Sequence, residues 1–418
     1  MKIVINKLAK MEGHASFKGH LFDGEIAEAK IDTEEGARLI EGILIGRKYW
    51  EAPIITARIC GICPVVHALT AIAALESAFK IKVSENTVIL RKILEAAQII
   101  HSHTLHLFFL SIPDFYQEVD DLKFIQKYPK VAQAALDIRK FATRLIEIIG
   151  GRTVHPIACI VGGFKKLPTK KELRDILKDF DKVYQNAIIL NEFIAKLNYP
   201  RFQRQTDYVS LRQKGEYGFY NGKITVSNKK ILTINEFYKI IKEQSLIKAL
   251  VKRTMFDDKA YLVGALARLN NNYQFLNKGA KKQLEKMDLN FPITNTFYNV
   301  YAQSLEVIHF LEECKKLLIK YLNKPPGRLK PFTKSKFSGS GLAAIEAPRG
   351  TLIHYYEVKD NLIKNCNIIT PTAQFLNNLE DDLKTFLPQT RRLSNSKRRN
   401  KIRTMIRAYD PCISCATH

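Results

Sequence analysis

Two cysteine pairs stand near opposite ends of this chain, and they are the residues best equipped for chemistry. Cys60 and Cys63 form one CxxC, and Cys412 and Cys415 form another. A spacing of three lets both sulfurs of a pair face one centre, and Gly61 permits a tight backbone within the first pair. Four thiolates make a soft donor set, suited to nickel, zinc or an iron–sulfur centre. Zinc ribbons separate their pairs by roughly 15–20 residues. Here 349 positions separate Cys63 from Cys412, so the whole fold must assemble the site, as it does for catalytic centres. A helix begins just after Cys63, and its positive end favours thiolates. His67, one turn further on, can donate a hydrogen bond to a sulfur. Cys159, Cys314 and Cys366 stand alone in apolar or helical surroundings and read as packing residues. Seven cysteines in 418 residues are too sparse for a disulfide scaffold.

The elements that must position these pairs are mainly helical. The first 35 residues read as strands, with Asp23-Gly24 as a hairpin signal between Lys18 and Ile31. Helical patterns follow over Ala68–Phe79, Thr87–Leu110, Tyr128–Ile149 and Thr169–Leu197, the last opening on a Thr169/Glu172 capping box. A strand-rich insert spans about 207–233 with Asn221-Gly222 as its turn. Helices return from Ile234 to about Asn323. Gly and Pro make Pro325–Val358 read as irregular, and a final helix covers Pro371–Phe386. The expected fold is α+β and predominantly helical. It is a long buried helix bundle with N-terminal and mid-chain strand-rich segments, one domain over residues 1–418, both chain ends meeting at one metal site.

Composition narrows the class. At 46% hydrophobic residues the chain can bury a large core. No apolar run is long enough to cross a membrane, and the N-terminus lacks a signal-peptide pattern. A cytoplasmic location is expected. The net charge of +25 raises nucleic acid as a partner, but the lysines are spread along the whole chain. The one cluster, Arg391 to Arg403, reads as a solvated or protein-docking segment, and nucleic-acid binding is not expected.

RxCGxCxxxH near the start (Arg58 to His67) and DPCxxCxxH at the end (Asp410 to His418) resemble the paired signature of nickel–iron hydrogenase large subunits. Further segments are similar to that family in the same order: MEGH (11–14), EGILIGR (41–47), VGALARLN (263–270), EAPRG (346–350), ITPTAQ (369–374) and RAYD (407–410). The likeness extends from about residue 1 to 418. The run Ser102 to Leu110 and Pro113-Asp-Phe115 look like the cytoplasmic, cofactor-linked members, whereas Ser102 stands where many membrane-bound relatives carry aspartate. Met11 departs from the usual arginine, and the basic segment 391–403 is unusual for the family.

The resemblance implies roles residue by residue. Cys60 and Cys412 match the terminal nickel ligands, and Cys63 and Cys415 match those bridging nickel to iron. The iron would carry CO and cyanide, with Pro348, Arg349 and His67 around the group. Glu12 matches the carboxylate that relays protons from the Cys412 sulfur. Glu41 and His418 would hold Mg²⁺ or a similar ion, which takes few protein ligands and keeps waters. The implied reaction is reversible heterolytic cleavage of H₂ into protons and electrons. Three spare cysteines cannot build a four-cysteine cluster, so a small iron–sulfur subunit is expected, with a diaphorase or another electron-carrier subunit beyond it. Maturation proteins would install the centre. A C-terminal endopeptidase would remove any tail beyond His418, so the chain as written matches a mature form or one encoded without a tail. A respiratory relative that has lost catalysis would lack the ligand cysteines. A zinc-stabilised basic binding protein would hold zinc alone.

Overall fold

A computed structural model describes every residue except 1, 23–24, 34–35, 37, 119, 245–250, 326–335 and 418. Its centre is a set of long helices. Glu85–Leu105 lies against Asn299–Leu322 and Pro129–Gly150, and Phe180–Ala195 fills the remaining side. Ser84 starts the first of these by accepting from the Thr87 N–H at 3.2 Å, as an N-cap residue should. Ile89, Leu90, Ile93, Leu94, Ile99 and Ile100 on that helix are 0–3% exposed. Each contributes about 1.5–3 kcal/mol by leaving water. The same helix runs on into a π-helical turn, His106–Ser111, which ends at Ile112–Phe115. The segment expected as Thr169–Leu197 is two helices, Lys170–Leu177 and Phe180–Ala195, and the Thr169/Glu172 capping box is present.

The N-terminal strands Lys2–Ile5, Ala15–Phe22 and Glu25–Thr33 form an antiparallel sheet in sequence order. The expected turn residues Asp23 and Gly24 lie outside the described residues. In the mid-chain sheet, Asp207–Arg212 pairs with Lys223–Val226, which pairs with Lys230–Leu232. The tight turn is not Asn221-Gly222 as expected. It is Ser227–Lys229, where Ser227 and Asn228 hold φ of +50° and +57°. Gly222 instead lets the chain pass Arg212, whose carbonyl oxygen would lie 2.4 Å from a Cβ. The region expected as helix from Ile234 also contains strands, Lys242–Gln244 paired with Arg253–Met255.

The largest departure concerns Pro325–Val358. From Gly339 onward it is regular: Gly339–Ala347, Gly350–Lys359 and Leu362–Ile369 make an antiparallel sheet. Its glycines are not loop markers but close-approach positions. The helix Pro64–Phe79 lies directly on this sheet, and a Cβ on Gly341 would sit 2.2 Å from the Ala74 carbonyl oxygen. Ala347 pairs with Gly350, so Pro348 and Arg349 form the tip of the hairpin. The chain then continues through the helices Pro371–Phe386, Asn395–Ala408 and Ile413–Ala416. Part of the basic segment is structural. Buried Arg398 donates to the carbonyls of Thr390, Arg391 and Leu393, and just beyond the segment Arg407 pairs with Asp114.

Candidate metal centre

Both CxxC motifs arrive at one point. Cys60 leaves the short 3-10 turn Ala57–Ile59 in extended conformation, and Cys63 sits at the N-cap of Pro64–Phe79. That helix has Pro64 in its first turn and no side-chain cap of its own, so its free N–H groups need an acceptor. Gln98 supplies it across the bundle. Its Oε1 accepts from Val65 N–H at 2.6 Å and Val66 N–H at 3.3 Å, and its Nε2 donates to the Ile62 carbonyl at 2.7 Å. The Cys63 sulfur is thereby left for other partners. At the other end of the chain, Cys412 is the N-cap of Ile413–Ala416, and its N–H donates to Thr372 Oγ1 at 3.1 Å.

The sulfur of Cys60 is 3.4 Å from that of Cys412, and Cys63 is 3.3 Å from Cys415. All four sulfurs lie within 4.8 Å of one another, and each cysteine is 0–3% exposed. Among the described residues this is the one group of three or more His, Cys, Asp or Glu side chains placed to share an ion. Burial pushes the Cys412 and Cys415 thiols well up, while hydrogen bonds, from Cys412 first, hold Cys60 well down. A soft cation binding here would displace protons from the set.

The surroundings follow. His67 Nε2 lies 3.7 Å from the Cys415 sulfur. Arg349, at the hairpin tip, donates through Nε to the Asp410 carbonyl and through Nη2 to Asp410 Oδ1, both at 2.8 Å. Its Nη1 is buried without a hydrogen-bond partner. A small pocket is bounded by Cys63, His67, Pro348, Arg349, Thr372 and the two C-terminal cysteines. Four soft donors beside a spare buried N–H on a fixed cation fit a soft-metal centre.

Glu12 reaches the same point from the N-terminal strands. It forms a parallel bridge with Cys412, and Ile413 N–H donates to its carbonyl at 2.9 Å. Its Oε2 accepts from the Cys412 thiol and from Ser414 N–H, each at 3.0 Å. Glu41 lies elsewhere. Its carboxylate accepts from Lys252 Nζ at 2.8 and 2.9 Å and from Ile368 N–H at 2.8 Å. His418, its expected partner, lies outside the described residues.

The match to known proteins agrees with this geometry. The model of the nickel-dependent hydrogenase family matches residues 38–134 and 178–418. The chain belongs to that family. The alpha subunit of sulfhydrogenase 1 from Pyrococcus furiosus is 32% identical over all of this chain and 98% of its own length. One subunit of the F420-non-reducing hydrogenase from Methanothermobacter thermautotrophicus is 30% identical over 100% and 95% of the two chains. The beta subunit of the NAD-reducing hydrogenase HoxS from Cupriavidus necator is 27% identical over 100% and 94%. A solved NAD⁺-reducing [NiFe]-hydrogenase in its H₂-reduced state superposes with a TM-score of 0.90 at 27% identity, covering 100% and 99% of the chains. The hydrogenase thus has its nickel-family metal site in Cys60, Cys63, Cys412 and Cys415, and it is the catalytic kind of subunit, which works on H₂. Among its described residues, no helix is long and apolar enough to cross a membrane.

Some residues of the hydrogenase site were invisible in its sequence. Nothing about Gln98 singles it out on an apolar helix. Arg268 carries a hidden load: it donates to Glu306, to Glu346, and to the carbonyls of Ala347 and Pro348 at 2.8 and 2.9 Å. It therefore fixes the hairpin that presents Arg349. Its place inside the VGALARLN match was the only signal.

Proposed function

We propose that this subunit cleaves H₂ heterolytically and reversibly at a nickel–iron group held by its four cysteines. The observation that carries the reading is the convergence of four buried sulfurs with a carboxylate 3.0 Å from one of them. When bound, the group supplies soft Lewis-acid and redox chemistry that polarises H₂ and takes up its electrons. Cys60, Cys63, Cys412 and Cys415 would hold the group, all four as nickel ligands and Cys63 and Cys415 also as iron ligands, as the family resemblance implies. Arg349 would offset the anionic charge of the thiolates and cyanide, and its buried Nη1 would donate to a cyanide. His67 Nε2, 3.7 Å from the Cys415 sulfur, would help to hold that ligand in place.

The chain's own acid–base work begins at Cys412. Its sulfur accepts the proton released from H₂ and passes it to Glu12 Oε2, within hydrogen-bond reach. Burial of all four cysteines keeps water from competing for that proton. Electrons must leave the subunit, because Cys159, Cys314 and Cys366 are separate core residues. Leu39, Ile43, Ile45, Trp50 and Ile54 are 38–67% exposed on the segment just ahead of Cys60. That run of exposed apolar side chains leads in sequence into Cys60, which supports docking of an iron–sulfur subunit there. A diaphorase or other carrier subunit would lie beyond it, in the cytoplasm, as the NAD-reducing relative suggests. Glu41 with His418 would bind Mg²⁺. The oxygens of Glu41, Glu243 and Asn367 lie 2.8–3.6 Å from the Lys252 ammonium, so that cation would have to move aside for the ion. Maturation proteins and an endopeptidase would complete the centre, and the chain would act as one domain.

Metal analysis with infrared spectroscopy tests this reading. Equimolar nickel and iron with CO and CN stretching bands are expected. Zinc alone, without such bands, would overturn it.

A further inference from the structure

The C-terminal turn that carries Cys412 and Cys415 is gripped at both ends. Glu12 holds its beginning through Ile413 N–H and Ser414 N–H. Its other end is held by Arg38, which has no part in the signature motifs. Arg38 N–H donates to the Thr417 carbonyl at 2.8 Å. Its guanidinium Nη2 donates to the Ser414 carbonyl and, at 2.7 Å, to the Ile59 carbonyl. Nη1 lies 3.5 Å from the Arg58 carbonyl. Ile59 precedes Cys60 and Ser414 precedes Cys415, so one nitrogen bridges the peptides that lead into a ligand of each pair.

The acceptors explain why an arginine serves here. Ala57–Ile59 and Ile413–Ala416 are both short helical turns, and turns this short leave most of their carbonyls to outside partners. Those carbonyls carry partial negative charge that a cation satisfies. Nη2 spans the two turns while the planar fork sets Nη1 against the Arg58 carbonyl, a fixed three-acceptor geometry that a lysine's ammonium does not impose.

We propose that Arg38 is a positioning residue, a latch that locks the C-terminal sulfur pair in register with the N-terminal pair. The latch rests on the four-cysteine reading of the metal centre. It closes only when the last residues of the chain have docked, so it couples assembly of the centre to seating of the C-terminus.

The test uses the full chain produced without metal insertion. Alkylation of Cys412 and Cys415 by iodoacetamide, followed by mass spectrometry, reads how often the C-terminal turn opens. Arg38→Met should speed it roughly 10–100-fold, the effect of losing charge-assisted hydrogen bonds. Arg38→Lys should fall between parent and Met, and millimolar guanidinium should slow alkylation in Arg38→Ala. Cys314, a fully buried core cysteine, is the internal control. Alkylation of Cys412 and Cys415 at the parent rate in Arg38→Met would overturn the latch. So would an equal acceleration at Cys314, which means general loosening. In the metal-loaded enzyme, Arg38→Lys should also shift the CO and CN bands, and unchanged bands would count against it. If the parent holds no nickel and iron, the metal-centre reading fails, while the alkylation comparison still decides the latch.

Discussion

Replacing Glu12 by Gln separates proton movement from hydrogen activation. In the parent, Oε2 accepts two hydrogen bonds at 3.0 Å, from the Cys412 thiol and from Ser414 N–H. Gln keeps the size and one carbonyl oxygen, so the Ser414 contact survives. Losing the other contact costs about 0.5–1.5 kcal/mol, the net worth of an ordinary hydrogen bond, and the fold should tolerate it. The amide cannot take up and release a proton at neutral pH. Losing a positioned proton acceptor lowers rates about 10²–10⁴-fold, which is about 2.7–5.4 kcal/mol of barrier. The kinetic effect therefore exceeds the structural one. The variant should bind nickel and iron and still interconvert the nuclear-spin forms of H₂. Dye-coupled H₂ oxidation and exchange of deuterium with solvent should drop together by the stated factor. Solvent exchange at the parent rate would refute the relay, and the proton would have to leave Cys412 by another group.

Other outcomes follow from the same geometry. Serine at any of Cys60, Cys63, Cys412 or Cys415 should abolish normal metal assembly, because a hydroxyl is not a soft ligand; nickel and iron content checks this. Arg349→Lys keeps the charge but loses the fork to Asp410 and the spare Nη1, so H₂ activation should fall about 10²–10³-fold and the CN bands should shift. Aspartate at Ile43 and Trp50 should weaken binding of the iron–sulfur subunit without altering the fold, read by co-purification. Glu95 is fully buried, and neither carboxylate oxygen has a partner. Burial, opposed by Arg268, holds its carboxyl well above the usual range. Its contribution to stability is therefore full below the unfolded-state pKa and is lost as pH rises toward the folded one. Glu95→Gln should flatten the fall of Tm with rising pH by up to one proton, about 1.4 kcal/mol per pH unit.

What could be read from the sequence was set by how local the signal is. The helices Pro129–Gly150 and Pro371–Phe386 lie within a residue of expectation because Pro at the start and an apolar stripe are both local. The sheet over Gly339–Ile369 was missed for the opposite reason. Gly339 and Gly341 are there because a helix remote in sequence lies against them, and without that helix a glycine-rich stretch reads as loop. Asn221-Gly222 misled similarly, since Gly222 answers to Arg212 rather than to a turn.

The metal centre divides along the same line. Ligand chemistry is written in residue type, so four cysteines at two CxxC spacings could be named before any geometry was known. The residues that hold those cysteines in place act mostly through backbone atoms. Gln98 bonds Ile62, Val65 and Val66, Arg268 bonds the carbonyls of Ala347 and Pro348, and Arg38 bonds those of Ile59 and Ser414. A backbone carbonyl is the same in every residue, so such a pairing leaves no mark on its partner's identity. Each of these side chains also joins segments far apart in the chain. Their role therefore becomes visible only once the fold has brought the two cysteine pairs together, and there they decide whether four soft donors become one centre.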